Sequence, residues 1–141
     1  MENKTQIHEF DPQIYPFRLW VGIKTPYEEV EKNFWALNDQ MERTPFDEPH
    51  YRRNSFVVAT CFPVAHKVSG WIGIFCLISK PPQLHVGRIA HESSHIADFL
   101  FEEFGFKNEG FDGGEPRAYL VEWCANCIDK VKRGKYGKSK E

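Results

Sequence analysis

The spacing of apolar residues along the chain predicts one separate strand and one hairpin. Between residues 15 and 24, apolar side chains fall on every second position, the period of a strand with one buried face. Segments 55–65 and 70–79 are rich in β-branched and aromatic residues and are joined by residues 66–69, which predicts an antiparallel hairpin. Because segment 70–79 is apolar almost throughout, we expect it to be covered on both faces.

Three further stretches repeat apolar residues at the three- and four-residue steps of a helix. The first, 27–41, follows a candidate capping box at Thr25. The second, 83–104, begins after a Pro-Pro pair and ends before a glycine. The third, 115–133, has proline in its first turn. Residues 42–54 are interpreted as a loop.

This order of elements predicts an α+β fold. We expect a small layer sandwich in which a sheet of about three strands packs on three helices, with residues 91–95 on the second helix. At 141 residues and 41% hydrophobic content, the chain is long enough for one core and short for two, so residues 1–141 are predicted to form a single domain. Residues 1–13 and 134–141 are expected to be loose termini.

Composition restricts the classes of partner. A net charge of −2 and a pI near 6.3 give no overall attraction to nucleic acid or to an anionic membrane. No apolar run approaches a membrane span and the first residues lack a signal pattern, so we expect a cytoplasmic protein without a membrane partner. All four cysteines lie in apolar segments, which favours buried free thiols over a disulfide framework.

Residues 91–95 read His-Glu-Ser-Ser-His, an HExxH motif. Two histidines four apart stack on one face of a helix and can bind a single zinc ion, and Glu92 is placed to act on metal-bound water. The stripe that holds His91 and His95 lies about 160° from the apolar face of the predicted helix. The alternative is a solvated polar face that contains two histidines by chance.

A catalytic zinc site takes three ligands from the protein and leaves one position for water. Glu115 stands at the head of the next predicted helix, where it shares a polar stripe with Tyr119, Glu122 and Asn126. Two helices that each carry a polar stripe can meet across one metal.

An HExxH followed by a glutamate at the head of the next helix resembles the gluzincin metallopeptidases, the thermolysin and zinc-aminopeptidase group. The resemblance is confined to residues 83–133. Nineteen residues separate His95 from Glu115, and Ala118 completes a segment similar to the Glu-x-x-Ala of the aminopeptidases. In size and layout the chain looks more like minimal zincin domains, including small proteins of phage and mobile-element origin.

The resemblance implies a zincin-like sandwich in which Zn²⁺ is bound by His91, His95 and Glu115, with Glu92 as the general base for hydrolysis of a peptide or protein substrate. It also implies that one strand holds an extended peptide by backbone pairing, without indicating which strand. Tyr119 lies one turn beyond Glu115 and is our candidate donor to the oxyanion. The alternative for Tyr119 is a core or rim aromatic.

Several other side chains are weaker candidates. His85 and Arg117 are alternatives as oxyanion donors. Asp98 and Glu122 each lie seven residues from a predicted ligand and are either acceptors for a ligand's ring N–H or plain surface carboxylates. Glu109 mimics the third ligand but lies in a glycine-rich stretch.

Two other classes of metal site do not fit the sequence. The third histidine of a metzincin would fall on Phe101, and the second Glu-x-x-His of a di-iron bundle would end on Ala125.

The main hypothesis is a zinc peptidase. The alternative is a non-catalytic, zinc-stabilised protein-binding module, such as a phage-type modulator of a host protein. A third possibility is an accidental motif without metal.

Overall fold

The computed structural model describes residues 6–104 and 115–134, which form a six-stranded mixed sheet and four helices. The strands are β1 (Ile7–Phe10), β2 (Arg18–Ile23), β3 (Phe34–Leu37), β4 (Arg43–Thr44), β5 (Ala59–His66) and β6 (Ile72–Ile78). The helices are α1 (Tyr27–Asn33), α2 (Glu48–Asn54), α3 (Val86–Phe104) and α4 (Glu115–Lys132). The order of strands across the sheet is β1-β2-β6-β5-β3-β4.

The predicted α+β class is confirmed, but the predicted three-stranded sheet on three helices is wrong. Among residues 6–104 and 115–134, the sheet has twice as many strands as predicted, there are four α-helices, and the HExxH motif lies on the third. The β5–β6 hairpin is antiparallel as predicted. The part of the chain predicted to be a loose N-terminal arm contains β1, which pairs antiparallel with β2.

The sheet contains a parallel pair, β2 and β6, that joins distant parts of the sequence. Gly73 faces Arg18 across this pair. A Cβ at Gly73 would overlap the Arg18 carbonyl oxygen. The two backbones therefore approach each other closely enough here to require glycine.

Each face of the sheet carries its own apolar core, which gives a helix–sheet–helix arrangement. On one face, α3 and α4 pack over residues such as Leu19 and Cys76. On the other face, aromatic residues including Trp20, Phe34 and Phe75 pack beneath α1 and α2. Strand β6 is buried on both faces, as its apolar sequence predicts.

The predicted helix 27–41 is wrong beyond Asn33, where α1 ends and β3 begins. The Asn33 side-chain Nδ2 donates to the Glu29 carbonyl oxygen at 2.8 Å, and the Asn33 backbone carbonyl oxygen accepts from the Lys67 backbone N–H at 2.8 Å. The predicted capping box is also absent, because Thr25 makes no cap hydrogen bond and its hydroxyl is buried without a partner.

The predicted loop 42–54 contains β4 and the short helix α2. Asp47 caps α2 by accepting from the His50 amide at 3.3 Å, and Pro49 lies in the first turn. The buried Tyr51 anchors α2, since its hydroxyl donates to the Thr25 carbonyl oxygen at 2.6 Å.

Candidate functional site

The HExxH motif lies in the middle of α3, whose apolar face packs on the sheet and on α4. Ile89, Ile96 and Leu100 are buried, whereas His91 and His95 are exposed. Ser93, inside the motif, is fully buried and donates to the Ile89 carbonyl oxygen at 2.8 Å. One face of α3 therefore packs in the core, and the two histidines lie on its exposed side, as the sequence predicts.

The two imidazoles meet edge to face above α3. The Nε2 atoms of His91 and His95 are 3.2 Å apart, and the ring centroids are 4.6 Å apart. Two nitrogens bound to one tetrahedral zinc ion at about 2.0–2.1 Å would be separated by about 3.3 Å. The spacing of this pair thus suits two ligands of one metal ion.

Glu92 lies on the inner side of the same helix and is only 5% exposed. Its Oε1 accepts a hydrogen bond from the Cys61 thiol of β5 at 3.3 Å. A hydrogen bond to the Cys76 thiol, burial and the Glu92 carboxylate together raise the pKa of Cys61 well above its ordinary value. Cys61 therefore keeps its proton and acts as a donor to Glu92.

An open cleft of about 500 Å³ lies between α3 and β5. His91, Glu92 and His95 all line it, so the structure brings these three predicted residues to one place. Arg88, one turn earlier on α3, and Cys61 line the same cleft. The sequence pattern alone assigned no role to either of these two residues.

The β5 side of the cleft is a partly unpaired strand edge. Strand β3 pairs only with residues 64–66 of β5, and within the described ranges no strand pairs with residues 59–62 on that side. The Val58 carbonyl oxygen accepts from the Ser79 amide, and the His66 amide donates to the Trp71 carbonyl oxygen. Even-numbered residues of β5 thus bond to β6, and odd-numbered ones direct their backbone groups to the opposite side.

That opposite side is the free edge above α3. Ala59 and Cys61 both direct their backbone N–H and C=O groups toward it. Pro63, which has no N–H, stands where the pairing with β3 ends. Over its first half, β5 is therefore paired on one side only within the described residues.

Glu115 and Tyr119 lie at a different place from the two histidines. They line a mostly apolar hollow of about 450 Å³, together with Tyr15 and Trp123. Tyr119 is 66% exposed, in agreement with the alternative of a rim aromatic. This hollow lies between α4 and the connection from β1 to β2, whereas the cleft of His91 lies beside β5.

Arg117 is the residue of α4 that reaches the polar stripe of α3. Its Nη2 lies 2.8 Å from Asp98 Oδ1 and donates to the Ser94 carbonyl oxygen at 3.4 Å. Glu115, two residues earlier, is about 160° away round the helix. The structure therefore does not bring Glu115 to the imidazoles.

Within residues 6–104 and 115–134, no three His, Cys, Asp or Glu side chains are grouped to hold a metal ion. The ligand set His91, His95 and Glu115 stays a prediction. Glu109, the weaker alternative for the third ligand, lies outside the described residues. Asp98, a predicted acceptor for a ligand's ring N–H, is instead paired with Arg117.

Comparison with protein-family profiles, with curated proteins and with solved structures finds no significant match to this chain. Neither α3 nor any other helix in the described ranges combines the length and the apolar character needed to cross a bilayer.

Proposed function

We propose that the protein is a metal-dependent hydrolase that cleaves a peptide bond in an extended chain. The observation that carries the proposal is the shared cleft, in which His91, His95 and Glu92 face the free edge of β5. No one of these features is decisive alone. Together they supply two metal ligands, a candidate base and a surface that suits an extended substrate.

The two imidazoles fit a divalent ion, and Zn²⁺ is the first choice because of their separation. When bound, such an ion would acidify a water ligand and polarise the scissile carbonyl. Glu115 does not fit as its third protein ligand in the described arrangement, because it lies at the other hollow.

Residues of the chain itself provide the remaining functions. Glu92, held by the Cys61 thiol, takes a proton from the attacking water and passes it to the leaving amine. Arg88 contributes a positive charge that can stabilise the oxyanion. Tyr119, which the sequence pattern favoured as this donor, lies at the other hollow.

The free edge of β5 suits an extended substrate. The backbone groups of Ala59 and Cys61 can pair with a peptide strand, the mode known as β-augmentation. A peptide in this position would run beside the wall of the cleft that holds the histidines. Substrate is thus expected to be unfolded or locally extended protein.

The decisive test is Glu92→Gln. We expect this variant to bind Zn²⁺ within about twofold of the parent, measured by calorimetry, because glutamine replaces no proposed ligand. Turnover of a pool of unfolded peptides should fall by about 10²- to 10⁴-fold, the usual contribution of a general base. Mass spectrometry of the peptide products, with a chelator control, gives the measurement.

Glu103→Gln is the matched control, since Glu103 is an exposed carboxylate on the same helix. It should leave both zinc affinity and turnover unchanged. Undiminished cleavage by Glu92→Gln would rule out the mechanism.

A binding module that does not cleave its partner is the second candidate. It is favoured by the observation that only two candidate ligands meet within the described residues. The same assay separates the two functions. Peptides that bind at the edge of β5 but remain intact in the presence of zinc would support the binding module.

A further inference from the structure

Cys61 and Cys76 lie directly opposite each other on β5 and β6. Because the even-numbered residues of β5 bond to β6, this is a non-hydrogen-bonded pair, whose Cα atoms lie about 4.5 Å apart. Disulfides span Cα separations of about 4.4–6.8 Å. The backbone is therefore placed for a cross-strand disulfide.

The side chains agree with the backbone. Cys76 is fully buried in the core beneath α3, and Cys61 packs against the same core, so both thiols point to one face of the sheet. Both cysteines are free. Cys61 is only partly buried, lines the cleft and donates to Glu92.

We infer that Cys61 is a positioning residue for Glu92, and that a disulfide between Cys61 and Cys76 removes this hydrogen-bond donor and thereby switches the cleft off. The effect on turnover rests on the proposed function. The disulfide itself does not.

The oxidant is hydrogen peroxide, which accepts the two electrons that the sulfurs lose. The Cys61 sulfur attacks the peroxide oxygen, the O–O bond breaks, and Glu92 can take the thiol proton, which leaves with the departing hydroxide as water. The Cys76 sulfur then displaces the hydroxyl of the sulfenic acid, forming the S–S bond and releasing a second water. Because burial and hydrogen bonding favour the protonated thiol, we expect a slow reaction.

Hydrogen peroxide, added in excess to the reduced, metal-free full chain, tests the disulfide. Lys67 lies between the two cysteines, so trypsin should yield two peptides that remain joined until dithiothreitol is added. The intact chain should lose two hydrogens in mass. Cys61→Ser and Cys76→Ser should abolish the joined species, and Cys127→Ser should retain it.

Oxidation without joined peptides, or a bond confined to Cys124 and Cys127, would overturn the inference.

A second measurement concerns the hydrogen bond between Cys61 and Glu92. Glu92→Ala removes the acceptor that stabilises the reduced thiol, so the equilibrium constant for oxidation should rise about tenfold, which lowers the reduction potential of the two-electron couple by about 30 mV. An unchanged constant would contradict the role of this hydrogen bond.

Turnover provides the last measurement. Cys61→Ala should lower kcat about tenfold with little change in KM, and Cys61→Ser, which keeps a donor, should restore most of it. Peroxide should inactivate the parent, and dithiothreitol should restore its activity, whereas Cys61→Ser, which lacks the attacking sulfur, should not be inactivated. Joined peptides in a protein that never hydrolyses any peptide would refute the proposed function alone, whereas turnover without joined peptides would refute the switch alone.

Discussion

At the scale of single residues, a polar contact from α4 to the exposed side of α3 is made by a cation. Arg117 pairs with Asp98, and Glu115 projects from the other side of α4. We therefore expect Glu115→Gln to leave the affinity for Zn²⁺ unchanged. His95→Ala should lower the affinity at least tenfold, because it removes one of two nitrogens that are 3.2 Å apart.

Calorimetric titration of chelator-treated protein measures both affinities. Glu122→Gln, an exposed carboxylate elsewhere on α4, is the control for a general loss of negative charge. A large loss of affinity in Glu115→Gln alone would favour the ligand set implied by the gluzincin resemblance over the arrangement of α4 described above.

Two neighbouring hydroxyls are expected to differ in their effect on stability. The Tyr51 hydroxyl donates to a buried carbonyl oxygen, whereas the Thr25 hydroxyl is buried without a partner. Tyr51→Phe should lower the free energy of unfolding by about 1–2 kcal/mol, because it leaves the Thr25 carbonyl unpaired. Thr25→Val should be neutral or stabilising, since it replaces an unsatisfied polar atom with a methyl group of similar size.

Urea denaturation measures both changes as shifts of the midpoint at constant slope. A Thr25→Val protein less stable than Tyr51→Phe would show that the threonine hydroxyl has a partner.

Spacing along one helix was enough to predict that His91, Glu92 and His95 share a site. A step of four residues places two side chains on the same side of α3, regardless of what α3 packs against. The same reasoning placed Glu115 and Tyr119 on one stripe of α4, and both line one hollow. It could not show which neighbour that stripe faces, because the orientation of α4 is set by its buried residues, such as Leu120 and Cys124.

At the scale of elements, the β2–β6 pair depends on one glycine. A Cβ at Gly73 would overlap the backbone oxygen of Arg18, and backbone has no freedom to rotate away. We expect Gly73→Ala to lower the free energy of unfolding by at least about 3 kcal/mol. Thermal and urea denaturation measure the loss.

Gly70→Ala is the matched control in the turn between β5 and β6. Gly70 has φ of +81°, and apart from its chain neighbours no described residue has an atom within 4 Å of the position that an added methyl group would take. Only backbone strain of about 1 kcal/mol is therefore expected. Equal losses in the two variants would contradict the close approach of β2 and β6.

The error in the predicted helix 27–41 has a physical cause. Phe34 and Leu37 suit one face of a helix, and they are also the two buried residues of β3. Periodicity over so few residues does not separate these outcomes. The strand is favoured because β3 pairs with β5 and because Phe34 contacts Trp20 and Phe75. These partners are distant in sequence from β3.

At the scale of the whole molecule, the elements predicted well were the long or strongly patterned ones, α3, α4 and the β5–β6 hairpin. The size of the sheet could not be predicted, because it depends on the parallel pairing of β2 with β6 and on short strands such as β1 and β4. A second core, beneath α1 and α2, follows from that larger sheet.

Zinc that binds the folded chain should raise the free energy of unfolding of the whole domain. Both candidate ligands lie on α3, which packs on the sheet and on α4, so metal that binds the folded chain favours the complete domain. At a free zinc concentration of 100 times Kd, the free energy of unfolding should rise by about 2.7 kcal/mol. For a chain of this length the midpoint of thermal unfolding should rise by roughly 8 °C.

The four free cysteines can also bind zinc once the chain unfolds, which would reduce the shift. Urea titrations with zinc and with chelator therefore need a control that keeps every thiol. His95→Ala meets this requirement and should show little or no stabilisation at the same zinc concentration. If His95→Ala were stabilised as much as the parent, the metal would bind elsewhere in the fold, and the cleft beside β5 would not be its site.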